Sequence, residues 1–257
     1  MAVMWSVTKL GPVPKLKNPI LIEGLPGIGN VGKVATDFII DKVNAKCIYE
    51  FNGTSIPHSV FVNEKNLVEL PKIELYVKQH PHRDILFLAG DVQPITEEAC
   101  YDFCEKVLEI CGALGCKDII ALGGIGLKQI PKQPKLYCTG TDNATVKDFV
   151  KQTGVSSRIY GIVGPIVGVS GVLVGLAGKQ KKRAIALLAE TYGHPMYLGV
   201  KGARELLKVL NKYLKLKLDL KQLDAEIEEL EEEMMTRGPE KLPKMRRGAL
   251  GETSYIG

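Results

Sequence analysis

The chain has 257 residues, which is enough for one large α/β domain or two small ones. Apolar residues make up 45% and charged residues 25%, a balance that excludes a disordered chain, a collagen and a disulfide-rich mini-protein. The net charge of +5 is mild and aromatic residues are few at 6%, so the composition indicates no nucleic-acid partner.

The first predicted elements enclose a glycine-rich turn. Residues 19–24 predict a buried strand, and residues 28–43 predict a helix with one apolar face. The segment GLPGIGNVGK, residues 24–33, satisfies G-x-G-x-x-G, and Glu50 follows about twenty residues on, where dinucleotide-binding folds place an acid. The same segment satisfies G-x-x-x-x-G-K, but Val34 stands where a P-loop needs Ser or Thr to bind magnesium.

Two interpretations of this glycine-rich turn stay open. A turn that enters a helix N-terminus binds anions weakly and could hold a phosphate-bearing ligand. Alternatively, the glycines let the helix lie close to the sheet, and the turn is structural. The candidate residues of an anion-binding or ligand-binding loop are Gly27, Gly29, Asn30, Gly32 and Lys33.

Strands and helices alternate through the middle of the chain. Strands are predicted at residues 47–51, 59–62, 73–78, 84–89, 117–122 and 135–139. Asn52 and Gly53 form a turn signal after the first of these strands. One helix is predicted to begin after Thr96 as its N-cap and to run to about residue 114, and a second to span residues 143–152.

Polar residues at the ends of these strands are sparse. Asp91, Glu97 and Glu98 follow a strand and could be carboxylates in a cleft, although acids also favour a helix start. Asp91 is the candidate cleft carboxylate. The sequence contains no G-x-S-x-G elbow, and we predict no catalytic residues.

An uncharged stretch at residues 159–178 has the length of a membrane-spanning helix. Its glycines recur in steps of three and four, as in helices that pack closely in bilayers, but the glycines and Pro165 disfavour an isolated helix. We therefore expect no membrane association. The prediction is a buried strand at residues 158–163, a turn near Pro165 and a helix packed on the sheet, with a membrane span as the alternative.

A strand at residues 184–189 and a helix at residues 201–214 complete the domain. Strands that alternate with helices and are apolar throughout indicate a mostly parallel sheet covered on both faces. The predicted fold class is therefore α/β, a three-layer αβα sandwich over residues 1–217.

The sequence changes character after residue 217. Residues 218–237 predict an acidic amphipathic helix capped by Asp219. Its apolar seam follows heptad spacing at Leu220, Leu223, Ile227, Leu230 and Met234. Two heptads are too short for a free coiled coil, so we expect the helix to dock on the domain or on a neighbouring subunit. Residues 238–257 predict a flexible C-terminal tail.

The six cysteines and the N-terminal residues are used to predict the cellular compartment of the protein. Residues 1–17 lack the layout of a signal peptide, so we expect a cytoplasmic protein with reduced thiols. Cys100, Cys104 and Cys111 share one helix face and predict small buried side chains. The sequence has no Cys-x-x-Cys, and we predict neither a metal site nor a cofactor.

Five motifs in chain order resemble the PAC2 family, the archaeal and bacterial relatives of eukaryotic proteasome assembly chaperones. They are GLPGIGNVGK at residues 24–33, GDVQP at 90–94, ALGG at 121–124, GVSG at 168–171 and LAET at 188–191. The resemblance runs from about residue 19 to 235. It implies a three-layer phosphorylase/hydrolase-like fold, a homo-oligomer, and a role in archaeal proteasome assembly or activation.

The same resemblance draws attention to the last residues of the chain. Several archaeal members end in a hydrophobic residue, a tyrosine and any residue, a tail that inserts between α subunits of the 20S core. This chain ends in Tyr255, Ile256 and Gly257, so its tyrosine is displaced by one position. These three residues are the candidate partner-binding residues.

Three functional hypotheses follow. The first is a non-enzymatic homo-oligomeric chaperone or adaptor that binds the archaeal 20S proteasome through its C-terminal tail. The alternative is a nucleotide-binding enzyme, similar to an ATP-grasp ligase or a nucleoside phosphorylase, that uses the loop at residues 27–33 with Asp91. The third is a membrane-associated protein.

Overall fold

The computed structural model describes residues 5–63, 65–195, 197–221 and 224–225. Its strands are β1 (Trp5–Lys9), β2 (Ile20–Gly24), β3 (Lys46–Gly53), β4 (Phe61–Val62), β5 (Val68–Glu69), β6 (Ile73–Lys78), β7 (Ile85–Gly90), β8 (Asp118–Leu127), β9 (Leu136–Gly140) and β10 (Arg183–Tyr192). Its α-helices are α1 (Val31–Val43), α2 (Glu97–Ala113), α3 (Asn143–Thr153), α4 (Val169–Lys179) and α5 (Val200–Leu214), and a 3₁₀ turn, Ile28–Asn30, precedes α1.

The large sheet is parallel at its centre and antiparallel towards its edges. Its strand order is β1-β3-β6-β7-β2-β8-β10-β9, in which β7, β2, β8 and β10 are parallel neighbours. Strands β6, β3 and β1 extend one side by antiparallel pairing, and β9 closes the other. Strands β2 and β7 are buried over almost their whole length, which explains why they are apolar in sequence apart from Glu23 of β2.

Helices cover both faces of this sheet. Helices α1, α3 and α5 pack on one face around Phe38, Phe149 and Leu206, and helices α2 and α4 pack on the other around Phe103 and Leu173. The molecule is therefore a three-layer αβα sandwich, and the predicted fold class is confirmed.

The start of α2 follows the capping chemistry that the sequence predicts. Thr96 Oγ1 accepts a hydrogen bond from the Ala99 backbone N–H at 3.2 Å, so Thr96 is the N-cap. Cys100, Cys104 and Cys111 lie on the buried face of this helix as free thiols, which confirms their interpretation as small core residues.

Two predictions about strands are wrong. Asn52 and Gly53 do not form a turn but continue β3, where they pair with Ser6 and Trp5 of β1, a strand that the sequence analysis missed. Residues 158–163 form a loop, since Gly161 adopts φ +80° and only an isolated bridge joins Tyr160 and Val163. The apolar composition of that loop misled the strand prediction because its side chains are partly exposed rather than buried in a sheet.

Strand β8 is longer than the sequence predicts. It continues through Gly123 and Gly124 to Leu127 in parallel register with β10. A Cβ on Gly124 would overlap the Ile28 carbonyl oxygen, so this glycine permits the turn before α1 to lie directly on the strand. Gly124 therefore marks a close approach between backbones, and the glycine pair does not mark the end of a strand.

The uncharged stretch at residues 159–178 ends in α4. Helix α4 begins at Val169, after Pro165, and packs on β8 and β10 of the sheet, as predicted. It also packs on α2. Within the described parts of the chain, no helix combines the length and apolar character needed to cross a membrane.

The segment after α5 returns along the domain. Asn211 exchanges two side-chain hydrogen bonds with the backbone of Leu218, and Asp219 Oδ1 accepts from the Lys221 N–H at 2.9 Å. Arg204 of α5 forms a bidentate ion pair with Asp224. Most of the predicted acidic helix at residues 218–237, and all of the tail at residues 238–257, lie outside the described residues.

Candidate functional site

The candidate site lies between two neighbouring strands whose following helices cover opposite faces of the sheet. After β2 the chain enters α1 on one face of the sheet, and after the neighbouring β7 it enters α2 on the opposite face. The carboxyl ends of two such strands border a crevice, which is the usual ligand position in open α/β sheets. The glycine-rich turn at residues 24–33 and the GDVQP segment at residues 90–94 meet at this crevice.

The Lys33 ammonium group connects the glycine-rich turn to the GDVQP segment. Its Nζ donates to the Gly90 carbonyl oxygen at 2.9 Å, pairs with Asp37 at 2.9 Å and lies 3.7 Å from Asp91 Oδ1. Burial raises the pKa of the Asp37 carboxyl, and the Lys33 ammonium opposes that rise. The candidate carboxylate Asp91 also accepts from the Lys72 backbone N–H at 3.1 Å. Lys33 and Asp91 are thus brought together, and both already have partners within the chain.

The glycine-rich turn is packed tightly on its neighbours. Gly29 and Asn30 adopt φ +62° and +50°, in the left-handed region that favours glycine and asparagine. A Cβ on Gly32 would lie 2.7 Å from the Leu122 carbonyl oxygen of β8, far inside normal contact distance. The close approach of α1 to the sheet therefore requires glycine at residue 32, whether or not the turn binds an anion.

Gln93 spans the crevice from one wall to the other. Its Nε2 donates to the Pro26 carbonyl oxygen, and its Oε1 accepts from the Val169 backbone N–H at 2.9 Å. Gly168, at φ +82°, gives the amide its room, because a Cβ there would lie 2.7 Å from Oε1. One side chain thus joins the glycine-rich turn, the GDVQP segment and the GVSG segment at the start of α4.

Glu23 is a candidate residue that the sequence analysis missed. Its side chain is completely buried at the end of β2, and Oε1 accepts from the Leu25 backbone N–H at 3.0 Å. Among the described residues, Oε2 has no hydrogen-bond partner. Burial raises the pKa of Glu23 from 4.5 to about 7, although the hydrogen bond from the Leu25 N–H favours the charged form. The available signal was one carboxylate at the end of an otherwise apolar strand.

The LAET segment of β10 also reaches the glycine-rich turn. Added Cβ atoms on Gly29 and Gly199 would lie 2.7 Å and 2.5 Å from Thr191 Oγ1. The Gly199 N–H donates to the Gly29 carbonyl oxygen at 2.7 Å, which holds the start of α5 against the turn. In the part of the chain that the structure describes, the buried Thr191 hydroxyl has no hydrogen-bond partner.

The remaining candidate residues are not brought into this site. Tyr255, Ile256 and Gly257 lie outside the described residues. Within the described ranges, no group of three or more His, Cys, Asp or Glu side chains is placed to hold a metal ion.

The fold and the site together define a three-layer α/β protein in which segments from five regions of the chain converge on one glycine-rich turn at the carboxyl edge of the sheet. The chain belongs to the PAC2 family, whose family model matches residues 21–236. The family resemblance drawn from the five motifs is thereby confirmed.

Individual proteins extend this comparison. The chain is similar to the crystal structure of PbaB from Pyrococcus furiosus, described as an archaeal proteasome activator. The TM-score is 0.83 at 29% identity, over 91% of this chain and 98% of PbaB. It shares its fold with PbaA from the same organism, described as an archaeal homolog of proteasome-assembly chaperone. Here the TM-score is 0.74 at 24% identity, over 90% of each chain. It is also 25% identical to the uncharacterized protein MJ1210 of Methanocaldococcus jannaschii, over 91% of this chain and 93% of that protein.

Proposed function

We propose that this chain is a non-enzymatic, cytoplasmic, homo-oligomeric chaperone or adaptor that binds the archaeal 20S proteasome and promotes its assembly or activation. The observation that carries the proposal is the match to PbaB, a proteasome activator, over almost the full length of both chains. Membership of the PAC2 family supports the same proposed function.

The geometry of the crevice supports a scaffold rather than an enzyme. A phosphate-binding lysine has to reach its ligand, but the Lys33 ammonium is already held by Asp37 and the Gly90 carbonyl oxygen. The amide of Gln93 crosses the space between Pro26 and Val169. These contacts give the side chains of Lys33 and Gln93 a structural role.

The nucleotide-binding alternative has one observation in its favour. The buried carboxyl of Glu23 and the hydroxyl of Thr191 each have a polar atom without a hydrogen-bond partner among the described residues. Thermal unfolding in the presence of ATP, NAD and nucleosides separates the two functions. A ligand at a hundred times its dissociation constant would add about 2.7 kcal/mol of stability. We expect no shift, and a clear shift would contradict the scaffold function.

The C-terminal tail is the proposed docking element for the α subunits of the 20S core. Tyr255 supplies an aromatic anchor of the kind that fills a pocket. Several tails on one oligomer would add their weak insertions through a high effective concentration.

Co-purification with the 20S core of the same organism tests the proposal. Full-length protein should be retained on immobilised 20S, and a variant that lacks residues 252–257 should be lost while its oligomer, measured by light scattering, stays intact. Tyr255→Ala should weaken retention, and the matched variant Thr253→Ala should not. Unchanged retention of the truncated protein would rule out the tail as the docking element, and no retention of the full-length protein would contradict the proteasome partner.

A further inference from the structure

The β4–β5 hairpin exposes an apolar face. Val62 and Val68 are cross-strand partners, and Val60 and Leu70 stand two residues away on the same side of the ribbon. We call these four side chains the hairpin ladder. Their exposed fractions are 51% for Val60, 66% for Val62, 69% for Val68 and 71% for Leu70. The hairpin forms a separate two-stranded sheet. Because a two-stranded ribbon is marginally stable alone and a contiguous exposed apolar patch is typical of an interaction site, this face is a candidate docking surface.

The hairpin ladder lies at the same edge of the sheet as the crevice. The hairpin leaves β3 and returns through Lys72, whose backbone N–H donates to Asp91 Oδ2 at 3.1 Å and whose carbonyl accepts from the Asp91 N–H at 2.8 Å. Ile95, another exposed apolar residue, donates its N–H to the Ser55 carbonyl at 3.0 Å beside the root of the hairpin. The apolar patch is therefore anchored to the carboxyl edge of the central strands.

The C-terminal segment of the chain heads towards that edge. Helix α5 starts at the carboxyl edge, after β10, and Arg204 is in its first turns while Asn211 is near its end. Because Leu218 contacts Asn211 and the later Asp224 contacts Arg204, the segment runs antiparallel to α5. Residues 224–225 thus lie towards the edge that carries the hairpin ladder.

The sequence that follows has matching chemistry. Ile227, Leu230 and Met234 continue the heptad spacing in the sequence, which predicts an apolar stripe. Between them, six of the eight residues from 226 to 233 are glutamates. The exposed Lys65 and Lys72 flank the hairpin ladder and provide opposite charge.

The distance between α5 and the hairpin favours a contact of residues 226–237 with the hairpin ladder of a neighbouring copy over a contact with the hairpin ladder of the same chain. Helix α5 packs on β10 and α1, whereas the hairpin follows β3, five strand positions away from β10. Five spacings amount to about 24 Å across the sheet. A helix over residues 226–237 would span only about 18 Å, which is less than this separation.

We propose that residues 226–237 of one copy dock through Ile227, Leu230 and Met234 on the hairpin ladder of a neighbouring copy. This contact rests on the homo-oligomer of the proposed function and deepens it, because it assigns the surface through which neighbours are joined. It places the acidic segment of each subunit beside Lys65 and Lys72 of the next.

Cysteine cross-linking between two differently tagged, co-expressed full-length chains tests the contact. One chain carries Val68→Cys and the other Leu230→Cys, and mild oxidation followed by non-reducing electrophoresis should yield a covalent heterodimer that contains both tags. Leu10→Cys in place of Val68→Cys is the control, since Leu10 is exposed but follows β1 at the opposite edge of the sheet. That pair should stay uncross-linked.

The other outcomes overturn the proposal in distinguishable ways. A cross-link formed only when both cysteines are in one chain would place the segment on its own hairpin, and no cross-link would remove the contact altogether. A monomeric wild type in light scattering would contradict the homo-oligomer itself. An oligomer without the cross-link would overturn only this interface.

A second variant avoids cysteine chemistry. Val62→Thr with Val68→Thr keeps the shape and strand propensity of the hairpin but makes its face polar. It should raise the dissociation constant of the oligomer about tenfold, while Leu10→Thr should leave it unchanged. Equal dissociation constants for the double variant and the wild type would overturn the interface.

Discussion

The buried Glu23 makes one contribution to the pH dependence of the stability of this fold. The folded state holds a proton on this carboxyl up to about pH 7, whereas an unfolded chain releases it near 4.5. Between these values the folded state binds more protons, so the free energy of unfolding falls as pH rises through this window. Above pH 7 the group is ionised in both states, and the loss is complete.

Replacing Glu23 by Gln tests this linkage. Glu23→Gln keeps the acceptor for the Leu25 N–H and removes the charge. Relative to wild type, the variant should gain about 2 to 3 kcal/mol of unfolding free energy between about pH 5 and pH 8, measured by urea unfolding. The control Glu190→Gln changes a partly exposed carboxylate near the same edge and should give no such gain. Parallel pH profiles for wild type and Glu23→Gln would disprove the assignment.

The individual elements show what the sequence could and could not predict. The apolar runs of β2 and β7 and the N-cap of α2 depend on local residue chemistry, and they were predicted. The extent of β8 depends on Gly124 lying under Ile28, a contact between residues far apart in the chain. The convergence of Gln93 on Pro26 and Val169 likewise needs the tertiary structure, so the sequence identified the motifs but not their shared site.

Two glycines of α4 have opposite roles that a substitution can separate. A Cβ on Gly171 would overlap the Ile166 carbonyl oxygen, whereas a Cβ on Gly175, one turn later, would meet no atom within 4 Å. Gly171→Ala should therefore destabilise the fold by about 1 to 3 kcal/mol, because backbone has to move. Gly175→Ala should stabilise it by about 0.5 to 1 kcal/mol, because alanine favours the helix.

Chemical unfolding of the two alanine variants decides this point. We expect the two variants to shift the unfolding midpoint in opposite directions. A shift in the same direction would contradict the conclusion that residue 171 must be glycine because of the contact between α4 and the preceding loop.

The proposed function assigns recognition of the proteasome and scaffolding to different parts of the protein. The sandwich holds its glycine-rich turn, Gln93 and α4 together through internal contacts, and the proposed contacts with the proteasome fall on the C-terminal tail. The number of tails on one oligomer then becomes the quantity that controls binding, because linked weak sites reach avidities of about 10²- to 10⁴-fold over a single site.

Mixed oligomers test this dependence. Full-length chains co-expressed with chains that lack residues 252–257 give oligomers with fewer tails on an unchanged body, and their affinity for the 20S core can be measured by surface-immobilised binding. The dissociation constant should rise steeply, by about tenfold or more, once half of the tails are removed, because simultaneous insertions are lost. A loss of affinity that is only proportional to the fraction of truncated chains would mean that each tail binds independently. Avidity would then not explain why the protein is an oligomer.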